Sequence, residues 1–120
     1  MLFIGGGLGT ICRYITYQAY NRIELIFPLG TITVNVLGSF IMGFLSTILI
    51  QKLHVNQLYQ NLILTGFLGG YTTFSTFSLD TLSLMHHGYV TRALAYMLLS
   101  LALCILAVTI GYVVANKYIN

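Results

Sequence analysis

The sequence has 120 residues, of which 58% are hydrophobic and only 6% are charged. Soluble globular domains carry about 25% charged residues, so this composition excludes an ordinary soluble fold and predicts a protein whose solvent is the lipid bilayer. The net charge of +3 comes from five scattered Lys and Arg residues. Because they form no patch, we expect no nucleic-acid partner.

Four apolar segments follow one another along the chain. Each has the ~20 residues or more that a membrane-crossing helix needs, and short polar connectors separate them. The predicted spans cover residues 2–20, 26–50, 58–79 and 93–116. We therefore predict an all-α membrane protein: a single domain, residues 1–120, of four transmembrane helices.

The first span contains one charged residue, Arg13. A long basic side chain inside a span can snorkel outward to the interface, or its guanidinium can cap helix carbonyls. Both arrangements are structural, so we expect a structural role for Arg13.

Small and polar residues recur at every fourth position of the second span, which places them on one face of the helix. They are Thr31, Asn35, Ser39, Gly43 and Thr47. For Ser39, Gly43 and Thr47, a helix-packing seam explains the pattern at least as well as a pore. Asn35 is different, because an amide inside a membrane must find hydrogen-bond partners or contact a permeating species.

The fourth span repeats this interval with Tyr96, Ser100 and Cys104. Tyr96 follows Arg92 by four residues, so the position is compatible with an interfacial tyrosine as well as with a member of the polar stripe. We interpret Cys104 and Cys12 as small hydrophobic residues.

The third span contains features that disfavour a continuous helix. Two adjacent glycines, Gly69 and Gly70, weaken it, and five hydroxylated residues follow within residues 72–78. Such side chains offer the backbone alternative hydrogen bonds. We predict that this helix is broken in mid-membrane, where freed carbonyls and helix ends can form an ion site.

Basic residues are distributed evenly between the two predicted sides of the membrane. Lys52 and Lys117 lie on one side, and Arg22 and Arg92 lie on the other. Since the side richer in Lys and Arg sets orientation, an even count predicts insertion in both orientations and antiparallel pairing. The alternative is that another factor fixes one topology.

Three segments resemble motifs of the Fluc (CrcB) family of fluoride channels, and the likeness extends over essentially the whole chain. They are residues 6–9 with Arg13-Tyr14, residues 30–40 and residues 66–78. The resemblance implies a passive, highly selective fluoride channel in the bacterial plasma (inner) membrane. It also implies a multi-pass, antiparallel dual-topology homodimer with two pores and a central structural Na⁺.

The resemblance further implies roles for individual residues. Asn35 is expected at the pore, with Phe74 and Phe77 as an aromatic box and Tyr96 beside the pore on the last helix. Ser75, Thr76 and Ser100 are expected to form a polar track, and the backbone carbonyls of Gly69 and Thr72 to hold Na⁺. Asp80 stands where the family more often has Glu.

Other functions fit less well. A small multidrug-type proton-coupled antiporter needs a membrane carboxylate, but the first span has none and Asp80 lies near the end of the third. A non-transporting assembly subunit leaves the broken helix unexplained. The sequence has no nucleophile–base pair, ATP motif or metal-ligand cluster, and its three histidines lie in connectors, so we do not expect an enzyme.

Overall fold

The computed structural model describes residues 1–20 and 27–118, and every regular element within these ranges is helical. The all-helical prediction is confirmed for this part of the chain. Arg22 and Ile26, which entered the charge count and the second predicted span, lie outside the described residues. The helices are α1 (Leu2–Tyr20), α2 (Leu29–Lys52), α3 (residues 57–71), α4 (Phe74–His86) and α5 (Val90–Tyr118).

Two of these helices, α2 and α5, are long and apolar enough to cross a membrane, with 24 and 29 residues. The molecule is 49 Å along its longest axis, compared with ~40–45 Å for a bilayer with its headgroups. The third predicted span is divided between α3 and α4, and α4 has only 13 residues. A membrane protein is therefore supported, and the count of four spans stays a prediction.

Helices α2 and α5 form the most extensive helix pair, and glycines bring their backbones together. A Cβ atom on Gly43 would overlap the Val108 carbonyl, and one on Gly111 would overlap the Phe40 carbonyl. Thr47 is buried and donates a hydrogen bond to the Gly43 carbonyl at 2.8 Å. This half of the polar stripe on α2 is thus a packing seam, as small residues at helix crossings indicate.

Helix α1 packs against α3 in the same way. A Cβ atom on Gly9 would overlap the Phe67 carbonyl, and one on Gly70 would lie 2.6 Å from the Gly6 carbonyl oxygen. By contrast, a Cβ atom on Gly69 would have its nearest neighbour, the Leu64 carbonyl oxygen, at 4.0 Å. Gly70 therefore permits a close helix contact.

The predicted break is present, but it lies after the glycines and not at them. Gly69 and Gly70 are helical, whereas Thr72 (ψ 156°) and Thr73 (φ −152°, ψ 123°) are extended. Thr73 then caps α4 by accepting a hydrogen bond from the Thr76 N–H at 3.2 Å. The break is stabilised in two ways: Thr73 caps the start of a new helix, and residues from other helices bind the backbone groups that the break leaves without helical partners.

Candidate ion pathway

A groove of about 240 Å³ lies between α2, α5 and the break. It brings together four of the residues that the sequence predicted at a pore, which come from three different helices. The predicted residues are Asn35, Phe74, Phe77 and Ser100, and the other polar lining residues are Ser39, Thr72, Thr73 and Cys104. We call this cavity the groove.

Asn35 binds both backbone groups of Thr73. Its Nδ2 donates to the Thr73 carbonyl at 2.9 Å, and its Oδ1 accepts from the Thr73 N–H at 2.7 Å. An unpaired backbone group in hydrocarbon is costly, so this pair stabilises the extended backbone. The amide carries a second N–H, which leaves Asn35 a donor for the groove as well.

The rings of Phe74 and Phe77 lie side by side, with centroids 5.3 Å apart and planes inclined by 45°. Phe77 is buried against Tyr96, at a further 5.3 Å, whereas Phe74 is 72% exposed. The edges of phenyl rings are electropositive. One ring is therefore fixed in the protein core, and the other forms an open wall of the groove.

Ser100 is the clearest unused donor in the groove. Its side chain is 5% exposed, and its Oγ is buried without a hydrogen-bond partner among the described residues. Since buried polar groups are nearly always hydrogen-bonded, this hydroxyl is suited to a ligand in the groove.

The other two predicted track residues lie outside the groove lining. Thr76 lines a second cavity of about 560 Å³ together with Tyr17, Thr31 and Asp80. Ser75 is exposed, and its Oγ lies 3.3 Å from Thr73 Oγ1. We call the second space the Asp80 cavity.

Asp80 is the centre of a hydrogen-bond network in this second cavity. Its Oδ2 accepts from Thr31 Oγ1 at 2.6 Å and from the Tyr96 hydroxyl at 3.0 Å. Tyr96 is fully buried within the chain, so its ring packs against protein and not against lipid headgroups. Its hydroxyl reaches Asp80 while its ring packs on Phe77, and the side chain therefore lies between the two cavities.

Arg13 donates a hydrogen bond from Nη1 to the Thr72 carbonyl at 3.3 Å. Of the two arrangements that the sequence left open, the side chain adopts carbonyl capping, and it does so at the break. This contact ties α1 to the residue where α3 ends.

At the break, backbone carbonyl oxygens are available, and they are hard ligands of the kind that an alkali cation takes. In a continuous helix the Thr73 N–H would donate to the Gly69 carbonyl, but here it donates to Asn35. The Gly69 carbonyl therefore does not receive that helical hydrogen bond. Thr72 is extended, so its carbonyl also leaves the helical ladder, and it keeps one lone pair beside the Arg13 contact. Within the described residues, no group of three or more His, Cys, Asp or Glu side chains could hold a metal ion.

Comparison with known proteins is consistent with these features. The sequence profile of the family described as "CrcB-like protein, Camphor Resistance (CrcB)" matches residues 1–112. The chain belongs to the CrcB family. The resemblance noted in the sequence is thereby confirmed.

Individual CrcB relatives carry the name "Fluoride-specific ion channel FluC". The protein from Magnetococcus marinus is 48% identical over 114 residues, which cover 94% of this chain and 93% of the relative. The protein from Methylobacterium radiotolerans is 44% identical, over 98% of this chain and 84% of the relative. The protein from Methylococcus capsulatus is also 44% identical, but the chain spans only half of its length.

The sequence of this CrcB chain does not reveal the hydrogen-bond partners of Asp80. The sequence pattern places Thr31 in the α2 stripe but does not pair it with Asp80, which lies 49 residues away. No pattern singles out Tyr17, whose hydroxyl lies 3.1 Å from Thr31 Oγ1. The available signal was Asp80 itself, since a lone carboxylate near an apolar span needs donors.

Proposed function

We propose that this protein is a passive channel selective for fluoride, with the groove as part of the permeation pathway. The observation that carries the proposal is the buried hydroxyl of Ser100, which has no hydrogen-bond partner among the described residues. Ser100 lines the groove together with Asn35, Phe74 and Phe77. Membership of the CrcB family and the names of its relatives support fluoride as the ion.

The groove offers the chemistry that a small, strongly hydrated anion requires. Moving such an ion out of water is very costly unless donors replace the water. Ser100 and the second N–H of Asn35 are neutral donors, and Phe74 and Phe77 offer ring edges. Because none of these groups carries a fixed positive charge, the ion is held weakly enough to leave, as conduction requires.

The functional unit in this proposal is an antiparallel, dual-topology homodimer with two pores. Phe74 is 72% exposed and forms an open side of the groove, so a second copy can complete the wall. The even distribution of Lys and Arg supports insertion in both orientations. The multi-pass protein would lie in the bacterial inner membrane, where the membrane potential drives anions out of the cell.

The same dimer would hold one structural Na⁺ at its centre. The candidate ligands are the Gly69 and Thr72 carbonyl oxygens, with the same pair from the second copy. The ion would supply positive charge that fixes the two breaks against each other. Arg13, which donates to the Thr72 carbonyl, would orient that oxygen from the other side.

Efflux from liposomes tests the proposed function. Vesicles containing the protein and loaded with potassium fluoride should release fluoride when valinomycin lets K⁺ leave, without a pH gradient. Vesicles loaded with potassium chloride should retain their anion. Equal chloride release, or fluoride release that strictly requires a proton gradient, would contradict a selective passive channel and favour coupled transport.

A further inference from the structure

Thr73 connects the groove to the Asp80 cavity through its hydrogen bond to Thr76. It lines the groove and is 7% exposed, whereas Thr76, its partner one turn later, lines the Asp80 cavity. We propose that Thr73 is a positioning residue of the ion pathway, whose hydroxyl directs the hydroxyl proton of Thr76 toward the Asp80 cavity. This inference rests on the proposed function.

The hydrogen bonds at Thr73 determine which way each proton points. Thr73 Oγ1 accepts from the Thr76 N–H and donates to Thr76 Oγ1, both at 3.2 Å. A threonine hydroxyl has one proton and two lone pairs. With that proton given to Thr76, the contact with Ser75 Oγ at 3.3 Å requires Ser75 to donate. All three positions on the Thr73 oxygen are therefore in use.

Two further hydroxyls line the second cavity together with Thr76. They belong to Tyr17 and Thr31, and they lie 3.1 Å apart. Because Thr31 gives its proton to Asp80 at 2.6 Å, Tyr17 must donate to Thr31. The Ser75 and Thr73 hydroxyls thus point toward Thr76, and the Tyr17 and Thr31 hydroxyls point toward the carboxylate. Hydrogen bonds in such series polarise one another.

Thr76 differs from other hydroxylated residues in the broken segment. Thr72, Ser78 and Thr81 each donate to the carbonyl four residues earlier, at 2.9, 3.0 and 2.9 Å. That local bond is the usual alternative for a helical Ser or Thr. Thr76 lies in the first turn of α4, so the carbonyl four residues earlier belongs to Thr72, which precedes the helix and accepts from Arg13. The Thr76 oxygen instead accepts from Thr73, and its own proton is left for the cavity side.

Removal of the Thr73 hydroxyl should therefore impair fluoride flux through Thr76. We expect Thr73→Val to lower the initial rate of fluoride efflux about tenfold, the scale of one charge-assisted hydrogen bond, while Thr73→Ser keeps nearly the native rate. In a Thr76→Val background, Thr73→Val should add little further loss. Thr81→Val is the matched control, since Thr81 lies on α4 and its buried hydroxyl lines neither cavity.

A second variant separates positioning from helix capping. Thr73→Gly removes the hydroxyl but leaves a residue that is well tolerated at an N-cap, so it should lose flux while it remains a monodisperse particle by gel filtration. Native efflux in Thr73→Gly, or an equal loss on Thr73→Val with and without Thr76→Val, would overturn the inference. Absence of fluoride efflux from the native protein would instead refute the proposed function.

Discussion

At the scale of single residues, the groove contains polar groups of two kinds, those that have a hydrogen-bond partner in the protein and those that have none among the described residues. Asn35 is fixed by two hydrogen bonds to Thr73, whereas Ser100 has no bond to any described residue. A donor that already has a protein partner contributes to stability as well as to ion binding. A buried donor that has no protein partner lowers the stability of the protein when no ion is bound. Its role must therefore be sought in function.

Ser100→Ala should therefore separate flux from stability. Because the hydroxyl has no partner among the described residues, its removal loses no protein hydrogen bond, and we expect an unchanged or slightly higher melting temperature in detergent. Fluoride efflux should fall several-fold, since a donor leaves the groove. A lower melting temperature with native efflux would assign Ser100 to packing.

Phe74→Ile tests the aromatic wall. The side chain is 72% exposed, so the change should cost little stability, yet removal of the ring edge should lower fluoride efflux about tenfold or more. Phe3→Ile is the matched control, because Phe3 is 94% exposed on α1 and does not line the groove. If assembled Phe74→Ile protein conducts at the native rate, the ring acts only as bulk.

At the scale of helices, the sequence indicated a break in the third span, and the structure has it at Thr72 and Thr73, after the glycine pair and within the hydroxyl cluster. The glycine pair and the hydroxyl cluster disfavour a continuous helix, which is local information. The position of the break depends on Asn35, which is 38 residues from Thr73, and no local pattern encodes that pairing. The Asp80 network also joins residues that are far apart in sequence, so no local pattern predicts it. The polar stripes of α2 and α5 could be predicted, because their residues recur with the period of a helix.

The two adjacent glycines of α3 should respond differently to alanine. Gly70→Ala places a methyl group 2.6 Å from the Gly6 carbonyl oxygen, and such overpacking typically costs about 1–3 kcal/mol. Gly69→Ala has room within the chain and should keep the native free energy of unfolding. Thermal unfolding in detergent compares the two, and equal destabilisation would contradict the packing role given to Gly70.

At the scale of the whole molecule, much apolar surface remains exposed on one chain. On α1 and α5, Phe3 is 94% and Leu98 is 68% exposed, which suits lipid or a second copy. The sequence predicted a membrane protein from composition alone, and that is supported. Pairing depends on surfaces between chains, which neither a sequence period nor a single chain contains. Orientation depends on the even Lys and Arg count and stays a prediction.

The antiparallel dimer can be tested by charge. Two or three added lysines beside Lys52 should force one orientation, because positive loops stay in the cytoplasm, and cells producing this variant alone should show no fluoride efflux. Co-production of a variant with lysines added beside Arg92, biased the opposite way, should restore efflux. Full activity from either variant alone would show that opposed orientations are unnecessary.

The most direct test of the central claim is the reversal potential of current through the purified protein in a planar bilayer. With symmetrical chloride, symmetrical pH and a tenfold fluoride gradient, a passive fluoride-selective channel predicts reversal about 59 mV from zero, the value for one charge per tenfold ratio. The reversal should not move when a chloride gradient is added. Reversal near zero under the fluoride gradient, or a shift that follows chloride or pH, would contradict the account.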